Sequence, residues 1–383
     1  MKVKLGDIFE IGSGGTPPKS HPEYYGGNIP WVKTGDLKTT YLYSVEDFIT
    51  EDGLNNSSAK MYEPDTVLIA MYGATIGATS ILKINACTNQ ACAAFKPNDK
   101  VKPEYLYYFL RSKRNEFIKD GVGGAQPNIS AGYLKKVSME LPEIKEQNEI
   151  VDILNKISDV VEMRKKELMN LDNLIKARFV ELFGDPVQNE KGWRTKPLLE
   201  MGNCKNGMNF HYDDCGVEIN CLGVGDFKDL SVIDNTELLP TVSLNEMPSE
   251  EYMLKDDDIV FVRSNGNKAL VGRSVAVYPG DTPTTFSGFC IRYRKYDDVV
   301  TIPYLLRVLK TDSIRSKMAG RGANIQNLNQ QILGTLLIPV PPIELQNQFA
   351  AFVEQTDKSK VAVQKALDEA QLLFDSLMQK YFG

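Results

Sequence analysis

Two long segments of the chain carry apolar residues at alternating steps of four and three positions. This spacing is the heptad pattern of a coiled coil, in which a narrow stripe of one helix faces a partner helix. Each segment follows proline and ends at Phe-Gly, and about 40 residues at ~1.5 Å each predict a rod of ~60 Å. The stripes are Ile150, Leu154, Ile157, Val161, Arg164, Leu168, Leu171, Ile175, Arg178 and Leu182, and then Phe349, Val353, Thr356, Lys360, Val363, Leu367, Ala370, Phe374, Leu377 and Tyr381.

Neither helix can bury its stripe alone, so we predict that the two helices pack against each other in antiparallel orientation. The alternative is a pair of ordinary core helices, each inside its own globular part. Three charged residues, Arg164, Arg178 and Lys360, interrupt the stripes. Each either extends its stem past the stripe into solvent or marks a contact with a further partner.

The helical segments belong to an internal repeat. At an offset of 199, residues 142–184 align with 341–383 without a gap, and nine of the 43 pairs are identical. Shorter matches join residues 103–106 with 303–306, and residues 124–129 with 322–327. The repeat predicts a globular domain at 1–141, a helix at 142–184, a second globular domain at 185–340 and a second helix at 341–383. A chain duplicated in this way suits a two-fold partner, such as duplex DNA or two identical subunits.

Outside the helical segments the chain is rich in β-branched and aromatic residues, with frequent Gly and Pro. Residues 67–70, 274–278 and 289–293 are predicted strands, and residues 105–111 and 303–310 are predicted short helices. The predicted fold class is therefore mixed α/β. It has two α/β domains separated by two long antiparallel coiled-coil helices, with a pseudo-two-fold internal repeat.

Charge alternates along the chain in the same way in both copies, although the net charge is −6. Residues 36–65 hold seven acidic and two basic residues, and residues 83–119 hold eight basic and three acidic residues. In the second copy, residues 226–258 hold ten acidic and two basic residues, and residues 259–321 hold eleven basic and four acidic ones. The basic stretches interleave with aromatic residues and predict contacts with phosphates, an ordinary mixed surface being the alternative.

Reading a base sequence requires side chains with paired donors and acceptors, such as Arg or Lys for guanine and Asn or Gln for adenine. Several loops of the chain are dense in such residues, and capping of the loops by Asn or Gln is the alternative role. The candidate DNA-binding residues are Lys33, Thr34, Tyr72, Gln126, Asn128, Arg263, Asn265, Asn267, Lys268, Arg321, Asn324 and Gln326.

The sequence offers little catalytic chemistry. It contains two histidines, six scattered cysteines and no Cys-x-x-Cys pair, which predicts reduced thiols and no metal site. Phosphate-binding Gly-x4-Gly-Lys and dinucleotide-binding patterns are missing, as is the Asn-Pro-Pro-Tyr loop of amino-methyltransferases. We therefore expect a recognition protein and not an enzyme. Without an apolar run of ~20 residues or an apolar N-terminal region, we expect it to be cytoplasmic.

Several motifs carry a family resemblance. They are Gly14-Gly15-Thr16-Pro17, the stretch from Tyr24 to Leu37 with its Ile29-Pro30-Trp31, Gln126-Pro127-Asn128-Ile129, and the junction Phe183-Gly184-Asp185-Pro186. Together they resemble the specificity subunit of type I restriction–modification systems over essentially the whole chain. The second half departs more from the pattern, with Asn206-Gly207-Met208-Asn209 and Ile219-Asn220-Cys221 at the corresponding places.

The resemblance implies that each globular domain is a target-recognition domain that reads one half of a bipartite site in double-stranded DNA. It implies that the helices set the spacer between the half-sites and dock two methyltransferase (modification) subunits, which restriction subunits join. The chain itself would hold no cofactor, because S-adenosylmethionine, ATP and Mg²⁺ belong to those partners. Two other classes remain open from the residues: a stand-alone duplicated DNA-binding regulator and a coiled-coil scaffold protein.

Overall fold

The computed structural model describes residues 1–121, 128–210, 215–227, 230–319 and 327–383. These residues form two compact units. Unit 1 combines Met1–Lys166 with Gln364–Gly383, and unit 2 is Glu167–Val363. Each unit therefore contains one α/β part and a portion of both long helices.

The α/β part of unit 1 contains a five-stranded sheet in the order β2-β10-β7-β8-β4, a four-stranded sheet in the order β5-β3-β9-β6, and the pair β1-β11. Its elements are β1 (Lys2–Lys4), α1 (Leu5–Ile8), β2 (Ile11–Ser13), β3 (Tyr25–Val32), β4 (Tyr41–Leu42), β5 (Phe48–Ile49), α2 (Glu51–Asn55), β6 (Met61–Tyr62), β7 (Val67–Ala70), β8 (Thr79–Leu82), β9 (Ala86–Thr88), β10 (Cys92–Phe95), α3 (Pro103–Ser112), α4 (Arg114–Asp120), α5 (Ala131–Lys136) and β11 (Ser138–Glu140), followed by the helix α6 (Ile144–Phe183).

Unit 2 repeats this plan, with sheets in the orders β13-β20-β17-β18-β15 and β16-β14-β19 and the pair β12-β21. Its elements are β12 (Thr195–Pro197), β13 (Gly202–Asn206), β14 (Val217–Leu222), β15 (Val232–Ile233), β16 (Thr241–Leu244), β17 (Asp258–Val262), β18 (Ser274–Val277), β19 (Thr284–Phe286), β20 (Cys290–Lys295), α7 (Ile302–Leu309), α8 (Asp312–Ala319), α9 (Gln330–Gly334) and β21 (Leu337–Pro339), followed by the helix α10 (Ile343–Phe382).

The mixed α/β prediction and its internal repeat are confirmed. In each five-stranded sheet the central strand, β7 or β17, is buried along its whole length and pairs antiparallel with a neighbour on each side. A continuous apolar run bounded by turns is the sequence signature of such a strand. The strands predicted at 67–70, 274–278 and 289–293 are β7, β18 and β20, although Phe289 itself precedes β20 and is 60% exposed.

The short helices α3 and α7 correct one detail of the predicted repeat. The Tyr105 hydroxyl donates to the Glu140 carbonyl at 3.0 Å, and the Tyr304 hydroxyl donates to the Pro339 carbonyl at 2.8 Å. The match of residues 103–106 with 303–306 used an offset of 200 and is therefore one residue out of register. The structure extends the offset of 199 from the long helices into these helices.

A buried glutamine ties the start of each long helix to the loop before α3 or α7. The Gln147 Oε1 accepts from the Lys102 N–H at 2.9 Å, and its Nε2 donates to the carbonyls of Lys100 and Pro142 at 2.9 and 3.0 Å. Gln346 makes the corresponding bonds to the backbone of Thr301, Val299 and Pro341 at 2.9–3.0 Å. Both side chains are fully buried, so each amide finds its hydrogen-bond partners in the backbone and not in water.

The heptad stripes predicted for the long helices are confirmed, because every stripe position is buried or half-buried. In unit 1, Leu154 near the start of α6 lies in one core with Phe374 and Phe382 near the end of α10. In unit 2, Phe179 and Phe183 near the end of α6 pack on Phe349 near the start of α10, each at 5.6 Å between ring centroids. Within each unit the two helical portions therefore run antiparallel, as predicted.

Two of the charged residues in the stripes have partners inside unit 2. The Lys360 Nζ lies 2.5 Å from a carboxylate oxygen of Asp172 and 3.1 Å from one of Asp357. Arg178 pairs with Glu181 at 2.8 Å and lies over the Phe352 ring at 6.0 Å. Both side chains thus extend past the apolar stripe and place their charge beside acidic residues at its edge. This matches the predicted role in which the stem of the side chain crosses the stripe.

Replacement of Gln147 by leucine is expected to lower the free energy of unfolding by about 2 kcal/mol, because it removes three hydrogen bonds between a buried amide and the backbone, at about 0.5–1.5 kcal/mol each. Denaturant unfolding monitored by circular dichroism measures the change. The matched control is Asn148→Leu at the exposed neighbouring position, which should change stability by no more than about 0.5 kcal/mol. Equal effects of the two substitutions would show that the amide bonds are not what stabilises this junction.

Candidate nucleic-acid interface

Two loops of unit 1 meet at residues that the sequence proposes for DNA binding. Tyr72 follows β7 and forms an isolated antiparallel bridge with Asn128, and the Ile129 N–H donates to the Met71 carbonyl at 3.0 Å. Tyr72 is 42% exposed and Asn128 is exposed. The bridge therefore presents a phenol and an amide at one place on the surface. Gln126 lies outside the described residues.

Unit 2 builds the same junction from different side chains. Ser264 bridges to Asn327, and the Leu328 N–H donates to the Arg263 carbonyl at 2.8 Å. Asn327 is thus the structural counterpart of Asn128, again at an offset of 199, and the predicted alignment of 124–129 with 322–327 is one residue out of register at this end. Arg321, Asn324 and Gln326 lie outside the described residues.

The loop that follows β17 uses its asparagines to hold its own shape. The Asn265 Oδ1 accepts from the Asn267 N–H at 2.8 Å, and the Asn267 Oδ1 accepts from the Ala269 N–H at 3.1 Å. The Arg263 guanidinium donates to the Gly288 carbonyl at 3.2 Å. These bonds cap the loop, which is the role that the sequence predicted as the alternative to base contact. The amide oxygens are occupied in this way, and base contact by these residues stays a prediction. Lys268 begins the next short 3₁₀ turn, Lys268–Leu270, and its side chain lies outside the described part of the chain.

Lys33 and Thr34 lie on a separate loop after β3. The Lys33 N–H donates to Asp36 Oδ2 at 2.7 Å, which starts a 3₁₀ turn at Thr34. Unit 2 has the same turn, in which the Gly223 N–H donates to Asp226 Oδ2 at 2.8 Å. The Lys33 ammonium also pairs with Asp47 at 2.7 Å and lies 5.0 Å from the Trp31 ring centre. A nucleic-acid contact by Lys33 would therefore compete with an existing ion pair.

Part of the charge alternation along the chain is internal pairing. In unit 1, Lys83 pairs with Asp65 at 2.5 Å. In unit 2, Arg294 holds the fully buried Asp258 through two bonds of 2.6 and 2.7 Å, and Lys205 pairs with Glu251 at 2.7 Å. The acidic and basic stretches thus partly neutralise each other across the fold. Some cations of the basic stretches are therefore paired within the fold, and contact of these stretches with phosphates stays a prediction.

Sequence reasoning missed a cation-lined cavity of about 450 Å³ in unit 2. Its cations lie on α6, just before β18, on and just after α7, and on α8, so no single stretch of the sequence predicts the cavity. Arg111 and Lys310 are basic residues related by the offset of 199, and this match is the sequence signal that could have predicted the cavity. The basic residues that line it are Lys176, Arg273, Arg307, Lys310 and Arg315.

Burial lowers the pKa values of three of the cations in this cavity. Burial, with help from the charges of Arg307, Lys360 and Arg273, lowers the pKa of Lys310 from 10.5 to about 8. Burial also lowers the pKa of the Arg307 and Arg315 guanidinium groups. The Lys310 Nζ donates to Ser231 Oγ at 2.7 Å, a partner without charge. The described lining of the cavity brings these positive charges together and includes no acidic residue, while Asp172, outside the lining, offsets part of the charge on Arg307 and Lys310.

The remaining chemistry of the described residues is sparse. No group of three or more His, Cys, Asp or Glu side chains in the described part of the chain is placed to hold a metal ion. None of the helices described there is long and apolar enough to cross a membrane. All six cysteines are free, and four of them are buried, Cys204 is half-buried and Cys215 is exposed. Burial raises the pKa of Cys92 and Cys290 to about 12, which keeps these thiols protonated at neutral pH.

Comparisons with known proteins agree with this architecture. Residues 1–173 match the family model of the type I restriction modification DNA specificity domain. The type I restriction enzyme MjaIX specificity subunit of Methanocaldococcus jannaschii is 26% identical over 401 residues, covering 98% of this chain and 91% of that one. The StySPI specificity subunit of Salmonella potsdam is 24% identical over 384 residues, covering 92% and 81%.

Solved structures share the fold. The crystal structure of a type I restriction–modification S subunit from M. genitalium superposes with a TM-score of 0.56 at 17% identity, covering 100% of this chain and 96% of that one. A chain from a study of complex assembly and conformational transition of the type I R-M system gives a TM-score of 0.63 at 16% identity, with 100% and 97% coverage. Residues 1–173 are thus similar to the DNA specificity domain, and the chain over nearly its whole length is similar in sequence and in fold to these specificity subunits.

Replacement of Lys310 by methionine is expected to raise the melting temperature at pH 7 by about 2–4 °C. The pKa of Lys310 is about 8 in the folded protein and 10.5 in the unfolded chain. Below pH 8 the folded protein therefore carries a charged ammonium group at a position that disfavours it. That penalty disappears as the pH rises from 8 to 10.5, and the advantage of the variant should disappear with it.

Differential scanning calorimetry between pH 6.5 and 10.5 measures this advantage. The exposed Lys358, replaced by methionine in the same way, should show no advantage at any pH. A Lys310→Met protein that melts below the wild type at pH 7 would contradict the argument.

Proposed function

We propose that this chain is the sequence-specific DNA-recognition subunit of a type I restriction–modification complex, with each α/β part reading one half of a bipartite site. The observation that carries the proposal is the repeated junction of Tyr72 with Asn128 and of Ser264 with Asn327. The backbone of the junction is the same in both units, while its neighbours differ. A conserved frame with different side chains is what two different half-sites require.

The residues proposed for base contact follow from this assignment. In unit 1 they are Tyr72 and Asn128 at the junction, Lys33 and Thr34 on the separate loop after β3, and Gln126, two residues before Asn128 in the sequence. In unit 2 they are Arg263, Asn265, Asn267 and Lys268 on one loop, with Arg321, Asn324 and Gln326. Donors on arginine, lysine and the amide groups suit the major-groove edges of guanine and adenine.

We also propose that the chain carries no catalytic activity of its own. Adenine N6-methylation with S-adenosylmethionine, and ATP- and Mg²⁺-dependent cleavage, would reside in the methyltransferase and restriction subunits. The length of α6 and α10 would set the spacer between the half-sites, since both helices contribute residues to both units. The rival functions, a stand-alone regulator and a scaffold, would need neither partner.

Exposed apolar residues on the long helices support two docking sites for the methyltransferase subunits. Leu174 on α6 and Leu373 on α10 are identical residues at an offset of 199, and they are 49% and 51% exposed. Neither belongs to the buried stripes, so packing within a unit does not explain their identity. One kind of partner bound twice would contact both copies of such a surface.

Co-expression with the cognate methyltransferase subunit should place N6-methyladenine at one split DNA motif, which single-molecule sequencing of host DNA detects. Exchange of residues 1–141 for those of another specificity subunit should change one half of the motif and leave the other half intact. Omission of the chain is the control and should abolish the motif. Methylation that persists without the chain would favour the regulator or the scaffold.

Leu174→Lys and Leu373→Lys should each remove one methyltransferase subunit from the complex, and the double variant should remove both, because a charge enters an apolar contact. Light scattering coupled to size-exclusion chromatography gives the stoichiometry. The matched control, Asn173→Lys, adds the same charge at an exposed position that is already polar, and should keep two subunits bound. If the double variant still binds two subunits, these leucines do not lie in the interface.

A further inference from the structure

A cation-lined cavity occupies the same place in both units. In unit 2 it measures about 450 Å³ and in unit 1 about 610 Å³. Each is bounded by the loop after the central strand of the five-stranded sheet and by the short helices that follow the sheet. The long helices contribute residues 158–165 of α6 with Gln371 and Phe374 of α10 in unit 1, and Lys176 of α6 in unit 2. The residues that line the cavity of unit 1 include the basic Lys38, Arg111, Arg114 and Lys165 and the acidic Glu162, which pairs with Lys165 at 3.0 Å.

The two cavities share their construction and not only their position. Arg111 at the end of α3 and Lys310 after α7 are related by the offset of 199. Arg114 donates to the Ile76 carbonyl at 3.3 Å, and Arg315 donates to the Ala269 carbonyl at 3.2 Å, so an arginine braces the loop in each unit.

A glycine in the loop makes room for each arginine. Gly77 and Gly272 have φ of 78° and 76°, a conformation that side chains rarely adopt. A Cβ atom on Gly77 would lie 2.6 Å from the Arg114 side chain, and one on Gly272 would lie 3.1 Å from the Arg315 Nη1. The close approach of arginine and loop is therefore built into both copies.

The cavity of unit 2 holds donors that the protein leaves unused. The Arg307 Nε and the Arg315 Nη1 are buried, and neither has a hydrogen-bond partner among the described residues. None of the described residues that line this cavity is acidic. Buried donors without partners are costly, and a ligand with several acceptor oxygens and negative charge would satisfy them.

We expect one kind of ligand in both units, because Arg111 and Lys310 occupy equivalent positions and an arginine contacts the loop in each unit, while the loops themselves differ. The same loops carry Tyr72 in unit 1, and Asn265 and Asn267 in unit 2, a few residues before the cavity wall. Bases differ between two half-sites, whereas the phosphate backbone is the same in both. An acidic segment of the methyltransferase subunit would also occur twice, but nothing would require it to lie beside the base-reading loops.

We propose that each cavity binds a phosphate group of the DNA backbone, held by Arg111 and Arg114 in unit 1 and by Arg307, Lys310 and Arg315 in unit 2. This assignment rests on the proposed function and adds to it a sequence-independent anchor next to each recognition loop. The phosphate would fix the register of each unit on the duplex, while the loop reads the neighbouring bases.

Binding of the full-length chain to a 40-bp duplex of random sequence tests the proposal across 50–300 mM NaCl. Removal of one phosphate contact should make the slope of log K against log salt shallower by about 1. We expect this change for Arg111→Met and for Lys310→Met, and a change of about 2 for the double variant. The controls Lys145→Met and Lys358→Met neutralise exposed helix positions outside the cavities and should leave the slope unchanged.

Two further readouts separate a phosphate contact from a loss of folding and from a role in base reading. Melting temperatures of the variants exclude unfolding, and Lys310→Met should melt no lower than the wild type. The methylated motif should stay the same in both single variants, because a backbone contact carries no sequence information.

Unchanged slopes in folded variants would overturn the proposal. Variants that lose binding of the methyltransferase subunit, with no change in the salt slope, would also overturn it. So would variants that lose binding of inorganic phosphate in calorimetry while their DNA binding and its salt slope stay the same. Failure of the wild-type chain to direct methylation to any split motif would refute the proposed function itself. A wild-type motif with unchanged slopes would refute only the phosphate sites.

Discussion

A single buried amide joins each long helix to its own sheet. Gln147 and Gln346 each accept one backbone N–H and donate to two backbone carbonyls, one from the loop before α3 or α7 and one from the residues that lead into the helix. Only a primary amide offers this combination of acceptor and two donors at that length. The same three bonds therefore join the helix to the α/β part in both units, and the recognition loops and cavities lie on the elements that they join.

The sequence predicted well those features that depend on periodic burial. Each stripe position of α6 and α10 is buried or half-buried, and the central strands β7 and β17 follow from their unbroken apolar runs. The register of α3 against α7 was wrong by one residue, because the alignment matched Pro103 with Pro303. The structure instead matches Tyr105 with Tyr304, whose hydroxyls reach equivalent carbonyls.

The candidate site could be predicted only in part. The sequence indicated the loops at Tyr72 and Arg263, but it could not show that Asn265 and Asn267 use their side-chain oxygens on their own backbone. It also could not assemble the cavities, whose cations come from several separate segments. Net charge gave a misleading first impression, because charge is unevenly distributed: the described lining of the cavity in unit 2 holds five basic residues and no acidic one. Local potential, and not the total of −6, decides where an anion can bind.

Unit 2 is continuous in the chain, whereas unit 1 takes Gln364–Gly383 from the far side of unit 2. The core of unit 1 includes Phe374, Met378 and Phe382, and Phe382 packs on Tyr105 at 5.2 Å between ring centroids. During synthesis, unit 2 has all its residues once Val363 has been made, while the earlier sequence of unit 1 still lacks part of its core. The second unit to be translated is thus the first that can complete its fold, in contrast to the usual order from the N-terminus. In the interval an apolar surface around Tyr105 stays open, which exposes the nascent chain to aggregation or to chaperones until its last helical turns arrive.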